Sequence, residues 1–224
     1  MNKLHHLTFI MDGNNRWSVK KNTTKYNSYK YGAEKLLYLS KNLFEFYDDL
    51  DEISAFALSS HNLKRPKYII NIIKKILLEL LDNSLQAQNI NYRLCIIGDL
   101  DFLDKKIIDK IKLIESQNLN SKKKLNIFLN YSGQQDIINS VNQFKKNKNT
   151  ISKFTFEKNL STKNLLKPDI LIRTGGYNRI SDFMLYEIAF TELFFLKKLW
   201  PEINLTDIKK IINKFNKIER KFGI

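Results

Sequence analysis

The sequence predicts an α/β protein: a parallel sheet of about six strands covered by helices. Three observations carry that expectation. Short apolar runs alternate with longer segments of helical period, the order that places crossover helices between parallel strands. The runs are nearly apolar throughout, as strands buried on both faces are. Five of them empty into polar residues at the carboxyl end, the edge of an open parallel sheet at which ligands bind.

The first run, Leu7-Thr8-Phe9-Ile10-Met11, ends in Asp12-Gly13-Asn14-Asn15-Arg16-Trp17. An acid at a strand end, a turn of small polar residues and an arginine suit Mg²⁺ and a second anionic group. A helix follows from about Ala33 to Tyr47. The second strand, Ile53 to Leu58, ends in Ser59-Ser60-His61-Asn62-Leu63-Lys64-Arg65-Pro66 and precedes a helix from about Lys67 to Gln88. The third strand, 92–97, ends in Gly98-Asp99 and precedes a helix from about Phe102 to Glu115. The fourth, 125–130, leads through Asn130-Tyr131-Ser132-Gly133 into a helix from about Gln134 to Lys145. The fifth, 169–173, opens after Pro168 and precedes a helix from about Asp182 to Glu192. A short strand near Leu193–Leu196 and a helix over 206–221 complete the order.

The fifth strand ends in the richest segment, Arg173-Thr174-Gly175-Gly176-Tyr177-Asn178-Arg179-Ile180-Ser181. A glycine pair lets the backbone turn tightly and approach a ligand. Two arginines and a serine can clamp a phosphate or diphosphate. The plainer reading is a Gly-Gly turn with two solvated arginines.

The helix over 67–88 carries Ile69, Ile70, Ile72, Ile73, Ile76, Leu77, Leu78, Leu80, Leu81 and Leu85. At about 100° per residue they cover an arc of roughly 240°. A surface helix needs a stripe of little more than about 100°, so this one buries a second side against a neighbouring helix, a subunit or a ligand.

The chain of 224 residues fits one domain, 1–224. Its formal charge of +15 suits a polyanion, an anionic membrane surface or diphosphate substrates without choosing among them. Lys122-Lys123-Lys124 reads as a solvated strand edge or a binding patch. Cys95, the only cysteine, excludes an intrachain disulfide and reads as an inert core thiol. No apolar run reaches the ~18 residues of a membrane span, and no signal-peptide pattern precedes Asp12. A cytoplasmic location is the expectation.

Several segments together resemble the cis-prenyltransferases. His6 through Trp17 resembles the family's first signature, and Ala55 to Pro66 its serine–asparagine–arginine–proline loop. Leu125-Asn126-Ile127 through Gly133 resembles another block. Asp169 to Ser181, continuing through Phe190-Thr191-Glu192-Leu193-Phe194-Phe195 to Leu199-Trp200-Pro201-Glu202, resembles the most diagnostic one. Glu219-Arg220-Lys221-Phe222-Gly223 is similar to the family's tail. The order is right over nearly the whole chain.

The resemblance implies condensation of isopentenyl diphosphate in cis onto an allylic diphosphate such as farnesyl diphosphate, with Mg²⁺, to a long polyprenyl diphosphate such as undecaprenyl diphosphate. It also implies an apolar product tunnel between sheet and helices, walled by the 67–88 helix and by Phe44, Phe46 and Tyr47. Asp12 is then the essential acid, organising Mg²⁺ and diphosphate. Gly13, Asn14, Asn15, Arg16 and Trp17 serve the allylic diphosphate. Arg173, Arg179 and Ser181 clamp isopentenyl diphosphate, and Glu192 helps order the metal. Ser59 and catalytic Asn62 belong to a mobile loop that Arg65 helps to hold. The family works as a homodimer, and Arg220 matches a tail arginine that can enter the neighbouring site. The 206–221 helix sets Ile208, Ile211, Ile212, Phe215, Ile218 and Phe222 among lysines, which suits peripheral membrane contact for product release, or a core or dimer helix.

The chain departs from the family pattern at six places. Asn15 replaces a glycine, and asparagine tolerates positive φ. Aligning Gly32 with a family glycine puts Lys25 in place of an arginine and Tyr29 in place of a histidine. His61 replaces a glutamate, Leu63 a tryptophan and Tyr177 a glutamate. Three rival readings are weaker. Asp48-Asp49-Leu50-Asp51-Glu52 faintly resembles the paired acids of all-helical trans-type enzymes but reads as a solvated helix end. A non-catalytic partner subunit should lack the acid at Asp12. A nucleic-acid-binding protein should interleave basic and aromatic residues on a surface, whereas most aromatics here sit in apolar runs.

Overall fold

The computed structural model describes residues 2–86, 91–147 and 150–220. The strands are β1 (His6–Ile10), β2 (Glu52–Ser59), β3 (Arg93–Ile97), β4 (Lys124–Tyr131), β5 (Ile170–Arg173) and β6 (Glu192–Phe195). They form one sheet in the order β3-β4-β2-β1-β5-β6, every pair parallel. The helices are α1 (Asn14–Lys20), α2 (Lys25–Phe46), α3 (Lys67–Gln86), α4 (Lys105–Glu115), α5 (Gly133–Asn147), α6 (Lys153–Glu157) and α7 (Leu205–Phe215). The strand order fixes where a ligand can sit. From β1 the chain moves to β2 on one side; from the adjacent β5 it moves to β6 on the other. The loops after β1 and β5 therefore diverge and leave a crevice at the carboxyl edge.

Strand residues alternate between two faces. Leu7, Phe9, Ile53, Ala55, Leu125, Ile127, Ile170 and Ile172 join the larger core, shared with side chains of α2, α3, α4 and α7. Ile10, Phe56, Phe128 and Leu171 meet Phe183 and Met184 in a smaller core on the other face. That second face also buries polar groups, each with a partner. The His6 ring contacts the Leu166 carbonyl at 2.7 Å through Nδ1 and Ser54 Oγ at 2.8 Å through Nε2. Glu52 takes Lys124 Nζ at 3.0 Å and the Leu166 N–H at 3.1 Å. The expected solvated helix end therefore runs only to Asp51, because Glu52 opens β2 and is buried.

All six expected strands form, and the differences lie in the helices, among them the short α6, which the sequence reading did not include. The polar segment after Asp12 contains α1, which lacks an apolar period because it packs beside α2 and exposes its other side. The next helix starts at Lys25 rather than Ala33, capped by Thr24, which accepts from the Asn27 N–H at 3.1 Å; such a cap contributes about 1 kcal/mol. The helix expected over Asp182–Glu192 is only a 3₁₀ turn at Glu187–Phe190. Ser181, Asp182 and Met184 have φ of 51°, 65° and 48°, which no right-handed helix accommodates. Asp182 instead caps α5, its Oδ1 accepting from Gln134 N at 2.9 Å while Ser132 Oγ donates to Oδ2.

The expected C-terminal helix ends at Phe215, and Lys221 to Ile224 lie outside the described residues. Ile208, Ile211, Ile212 and Phe215 are buried in the larger core, as the core-helix reading of this segment has it, and Phe222 lies outside the described residues. Two of the three lysines at 122–124 are structural: Lys123 Nζ donates to the Phe44 and Tyr47 carbonyls, and Lys124 pairs with Glu52. Burial raises the Cys95 thiol above its ordinary pKa, in keeping with an inert group. Among the described residues no helix is long and apolar enough to cross a membrane.

Candidate active site

The β1–β5 crevice brings the first and fifth strand ends together. Ile10 pairs with Arg173 in the sheet, so Asp12 and Arg173 emerge side by side. Asp12 Oδ2 accepts from Arg173 Nη2 at 2.9 Å, and Oδ1 accepts from Arg16 Nη2 at 3.1 Å. Arg16 Nη1 also donates to the Gly175 carbonyl at 2.7 Å. Arg173 Nη1 donates to Ser181 Oγ at 2.6 Å and to the Arg179 carbonyl at 2.5 Å. The Arg173 side chain is 4% exposed, yet its Nε is buried with no partner. Three arginines, Arg16, Arg173 and Arg179, lining one cavity with Asp12 bonded to two of them are chemistry for an anion.

Glycine geometry makes this approach possible at two positions. Gly13 has φ 119°, and a Cβ there would lie 2.8 Å from Leu199 Cβ. Gly13 is thus the left-handed residue that enters α1, whereas Asn15 lies within α1 and needs no such tolerance. Gly175 has φ 87°, and a Cβ would come within 2.4 Å of Arg16 Nη2. A side chain there would push apart Arg16 and Asp12.

A cavity of about 710 Å³ opens from this cluster, within the usual range for small-molecule sites. Its polar mouth holds Asp12, Gly13, Asn14, Asn15, Arg16, Tyr29, Ser59, Asn62, Arg65, Arg173, Arg179 and Ser181. Ser59 ends β2, and Asn62 lies on the 3₁₀ turn Ser60–Lys64 that follows. Arg65 Nη1 donates to the Tyr29 hydroxyl at 3.2 Å, tying that loop to α2. The opposite wall is apolar: Ile73, Ile76, Leu77 and Leu80 from α3, Ala33 and Leu36 from α2, and Ile127 and Leu129 from β4.

A family model described as putative undecaprenyl diphosphate synthase matches residues 10–223. The chain belongs to this family, the cis-prenyltransferases. A ditrans,polycis-undecaprenyl-diphosphate synthase ((2E,6E)-farnesyl-diphosphate specific) from Buchnera aphidicola is 35% identical, covering 97% of this chain and 90% of that one. An isoprenyl transferase from Rickettsia typhi is 35% identical over 100% of this chain and 99% of its own. The crystal structure of a probable undecaprenyl diphosphate synthase from Campylobacter jejuni matches with a TM-score of 0.80 at 30% identity, covering all of both chains.

Four residues suggested by the cis-prenyltransferase resemblance stand outside this cavity. Trp17 stacks on Tyr31, ring centroids 5.3 Å apart. Lys25 Nζ donates to the Tyr68 hydroxyl at 2.7 Å. Glu192 opens β6 and pairs with Ile170, three residues before Arg173. It therefore lies at the amino edge of the sheet, roughly 10 Å from the Asp12 edge at about 3.3 Å per residue. Arg220 lies near that same edge, donating to Asp169 Oδ1 at 3.0 Å and to the Phe190 carbonyl at 2.9 Å. The aromatic wall expected from α2 also differs. Phe44 is buried in the larger core, Tyr47 packs against that core and Phe46 is exposed under Lys209, so Ala33 and Leu36, about two to four turns earlier, line the cavity instead.

Two contributors were given no role by the sequence reading. Thr174 Oγ1 donates to the Asp12 carbonyl at 2.7 Å and locks the two strand ends together. Asp182 lines the mouth while capping α5. Thr174 was legible only as the hydroxyl between Arg173 and the glycine pair.

Among the described residues no three His, Cys, Asp or Glu side chains converge on one point. Mg²⁺ characteristically binds through one or two carboxylates plus substrate phosphates. Two carboxylates line the pocket: Asp182 is committed to Ser132 and Gln134, and Asp12, among the arginines, fits that mode.

Proposed function

We propose that the chain elongates an allylic diphosphate, such as farnesyl diphosphate, by repeated cis addition of isopentenyl diphosphate, yielding a long polyprenyl diphosphate such as undecaprenyl diphosphate. One observation carries the reading: Asp12 held between Arg16 and Arg173 at the charged mouth of a cavity that continues between apolar α2 and α3 side chains. Diphosphates bind at the mouth and hydrocarbon occupies the interior.

Arg16 and the α1 N-terminal backbone take the allylic diphosphate. Arg173, Arg179 and Ser181 take isopentenyl diphosphate. The Arg16 guanidinium, on the allylic side, balances the charge that grows on the leaving diphosphate, and the apolar walls keep water from the cation. Asp12 holds Arg16 and Arg173 in register through both of its oxygens. Ser59 and Asn62, at the end of β2, stand over the reacting carbons. Asp12 would hold Mg²⁺, which would supply further charge neutralisation to the departing group. The apolar cavity is the entrance of the product tunnel, which shields the allylic cation and accepts the growing chain.

Glu192 and Arg220 do not reach Asp12 within one chain. In this reading the protein is a homodimer and they serve a second copy's site. The presence of Asp12 argues against a non-catalytic partner subunit, and membership of the cis-prenyltransferase family gives the nucleic-acid reading no support.

The test is direct. Purified protein is incubated with farnesyl diphosphate, isopentenyl diphosphate and Mg²⁺, and products are resolved by mass. A series of polyprenyl diphosphates rising by one isoprene unit is expected. No elongation from farnesyl, geranyl or geranylgeranyl diphosphate would overturn the reading.

A further inference from the structure

Tyr177 stands where the family pattern has a glutamate, and it sits amid the arginines of the mouth. Its ring lies 4.3 Å from the Arg179 guanidinium, 5.0 Å from that of Arg16 and 5.7 Å from that of Arg173. All three distances fall within the ~6 Å over which a ring face attracts a cation. The two glycines before it have φ of 87° and 81° and turn the chain back toward Arg16 and Asp12.

The three arginines are not held alike. Arg16 has Asp12 and the Gly175 carbonyl; Arg173 has Asp12, Ser181 and the Arg179 carbonyl. Among the described residues the Arg179 guanidinium has neither a carboxylate nor a hydrogen-bond acceptor, and the Tyr177 ring is its contact. Asp12 is the single carboxylate bonded to this trio. Three like charges crowded together repel one another, and an unanchored arginine leaves the mouth for solvent. A glutamate at 177 would anchor Arg179 by cancelling part of the charge a diphosphate needs. An aromatic ring anchors it and leaves the full positive charge available.

We infer that Tyr177 is a positioning residue for isopentenyl diphosphate: its ring holds Arg179 over the mouth without neutralising it. The ring face does this, and the hydroxyl is dispensable. Tyr177 is 44% exposed, so its replacement leaves the core untouched. The inference rests on the proposed prenyl transfer, but its binding arm does not.

The experiment compares wild type, Tyr177→Phe and Tyr177→Leu, each also in an Arg179→Ala background. Readouts are KM for isopentenyl diphosphate, kcat, and calorimetric binding of inorganic pyrophosphate. Tyr177→Phe should match wild type, while Tyr177→Leu should raise KM and the pyrophosphate Kd about two- to fivefold, the size of one exposed cation–π contact. Its kcat should stay close to wild type. In the Arg179→Ala background the leucine should have no further effect. Absence of elongation by wild type would remove the proposed function while calorimetry still decides the role of Tyr177. Equal binding by Tyr177→Leu and wild type, equal weakness of Phe and Leu, or an undiminished leucine effect without Arg179 would each overturn the inference.

Discussion

Asp12 and Arg173 are 161 positions apart in sequence and 2.9 Å apart in the structure. They stand at the ends of the two strands from which the chain departs in opposite directions. The pairing follows from topology: adjacency of β1 and β5 places the acid and the buried guanidinium together before any ligand arrives. For the proposed reaction, charge pre-organised beside the diphosphates is the arrangement that lowers the barrier.

Asp12→Ala should therefore abolish turnover while the fold survives. Arg173 keeps Ser181 and the Arg179 carbonyl as partners, so the buried guanidinium is not stranded. The loss in kcat is expected to be about 10²-fold or more, as for other removed transition-state charges. A folded Asp12→Ala protein, verified by circular dichroism, that retains near-normal turnover would sink the assignment.

The α3 wall should set product length. Ile76 and Leu80 both line the cavity, but Ile76 is 5% exposed and tightly packed, whereas Leu80 is half-buried. Leu80→Phe is the cleaner obstruction, since overfilling the Ile76 position costs about 1–3 kcal/mol of stability. Shorter main products are expected, with the first condensation nearly unchanged. Unaltered product masses for phenylalanine at 73, 76 and 80 would mean that this face packs on protein alone.

Much of this site was legible because parallel sheets impose a strong signal: apolar runs that stop abruptly in polar residues. Asp12, Ser59 and Arg173 were found that way. What escaped depends on tertiary contacts. Asn14 to Lys20 has no apolar stripe to announce α1. Phe183, Met184, Leu185 and Ile188 imitate a helix, yet the segment is bent by Asp182, whose carboxylate is drawn to the start of α5. The breadth of the apolar arc on α3 was visible, but not which arc faced the cavity, nor that small Ala33 and Leu36 rather than Phe44 formed the other wall.

His6 makes stability depend on pH. Its ring is fully buried, and burial is the largest influence, lowering its pKa below the ordinary 6.5 against the opposing pull of Glu52 and Asp169; Lys124 adds to the lowering. The unfolded chain therefore binds the proton more readily than the folded one, so stability falls as pH drops below about 6.5 toward the folded value. Glu187 works the other way: burial raises its pKa, favouring the folded state at lower pH. His6→Gln should thus be less stable than wild type at pH 8, yet lose less stability between pH 6.5 and 5. Thermal melts across that range decide it, and an unchanged acid-side slope would show that His6 does not titrate on unfolding.

Arg220 tests whether the site is completed by a second chain. Within its own chain it is bound to Asp169, just before β5, while Arg173 and its partner Asp12 lie at the far end of that strand. It therefore cannot assist its own site without abandoning this pair. Beside it, β6 is an edge strand, and the neighbouring Phe190 and Leu193 are exposed, an apolar border suited to a second copy. Inactive Asp12→Ala and weakened Arg220→Ala proteins are mixed under subunit exchange. If Arg220 acts across a dimer, one site of the mixed pair has intact Asp12 and intact Arg220, and activity should rise above either parent. Activity equal to the average of the two would instead leave Arg220 as a structural tie to Asp169, and the Arg220→Ala protein should then show its defect as a lowered melting temperature.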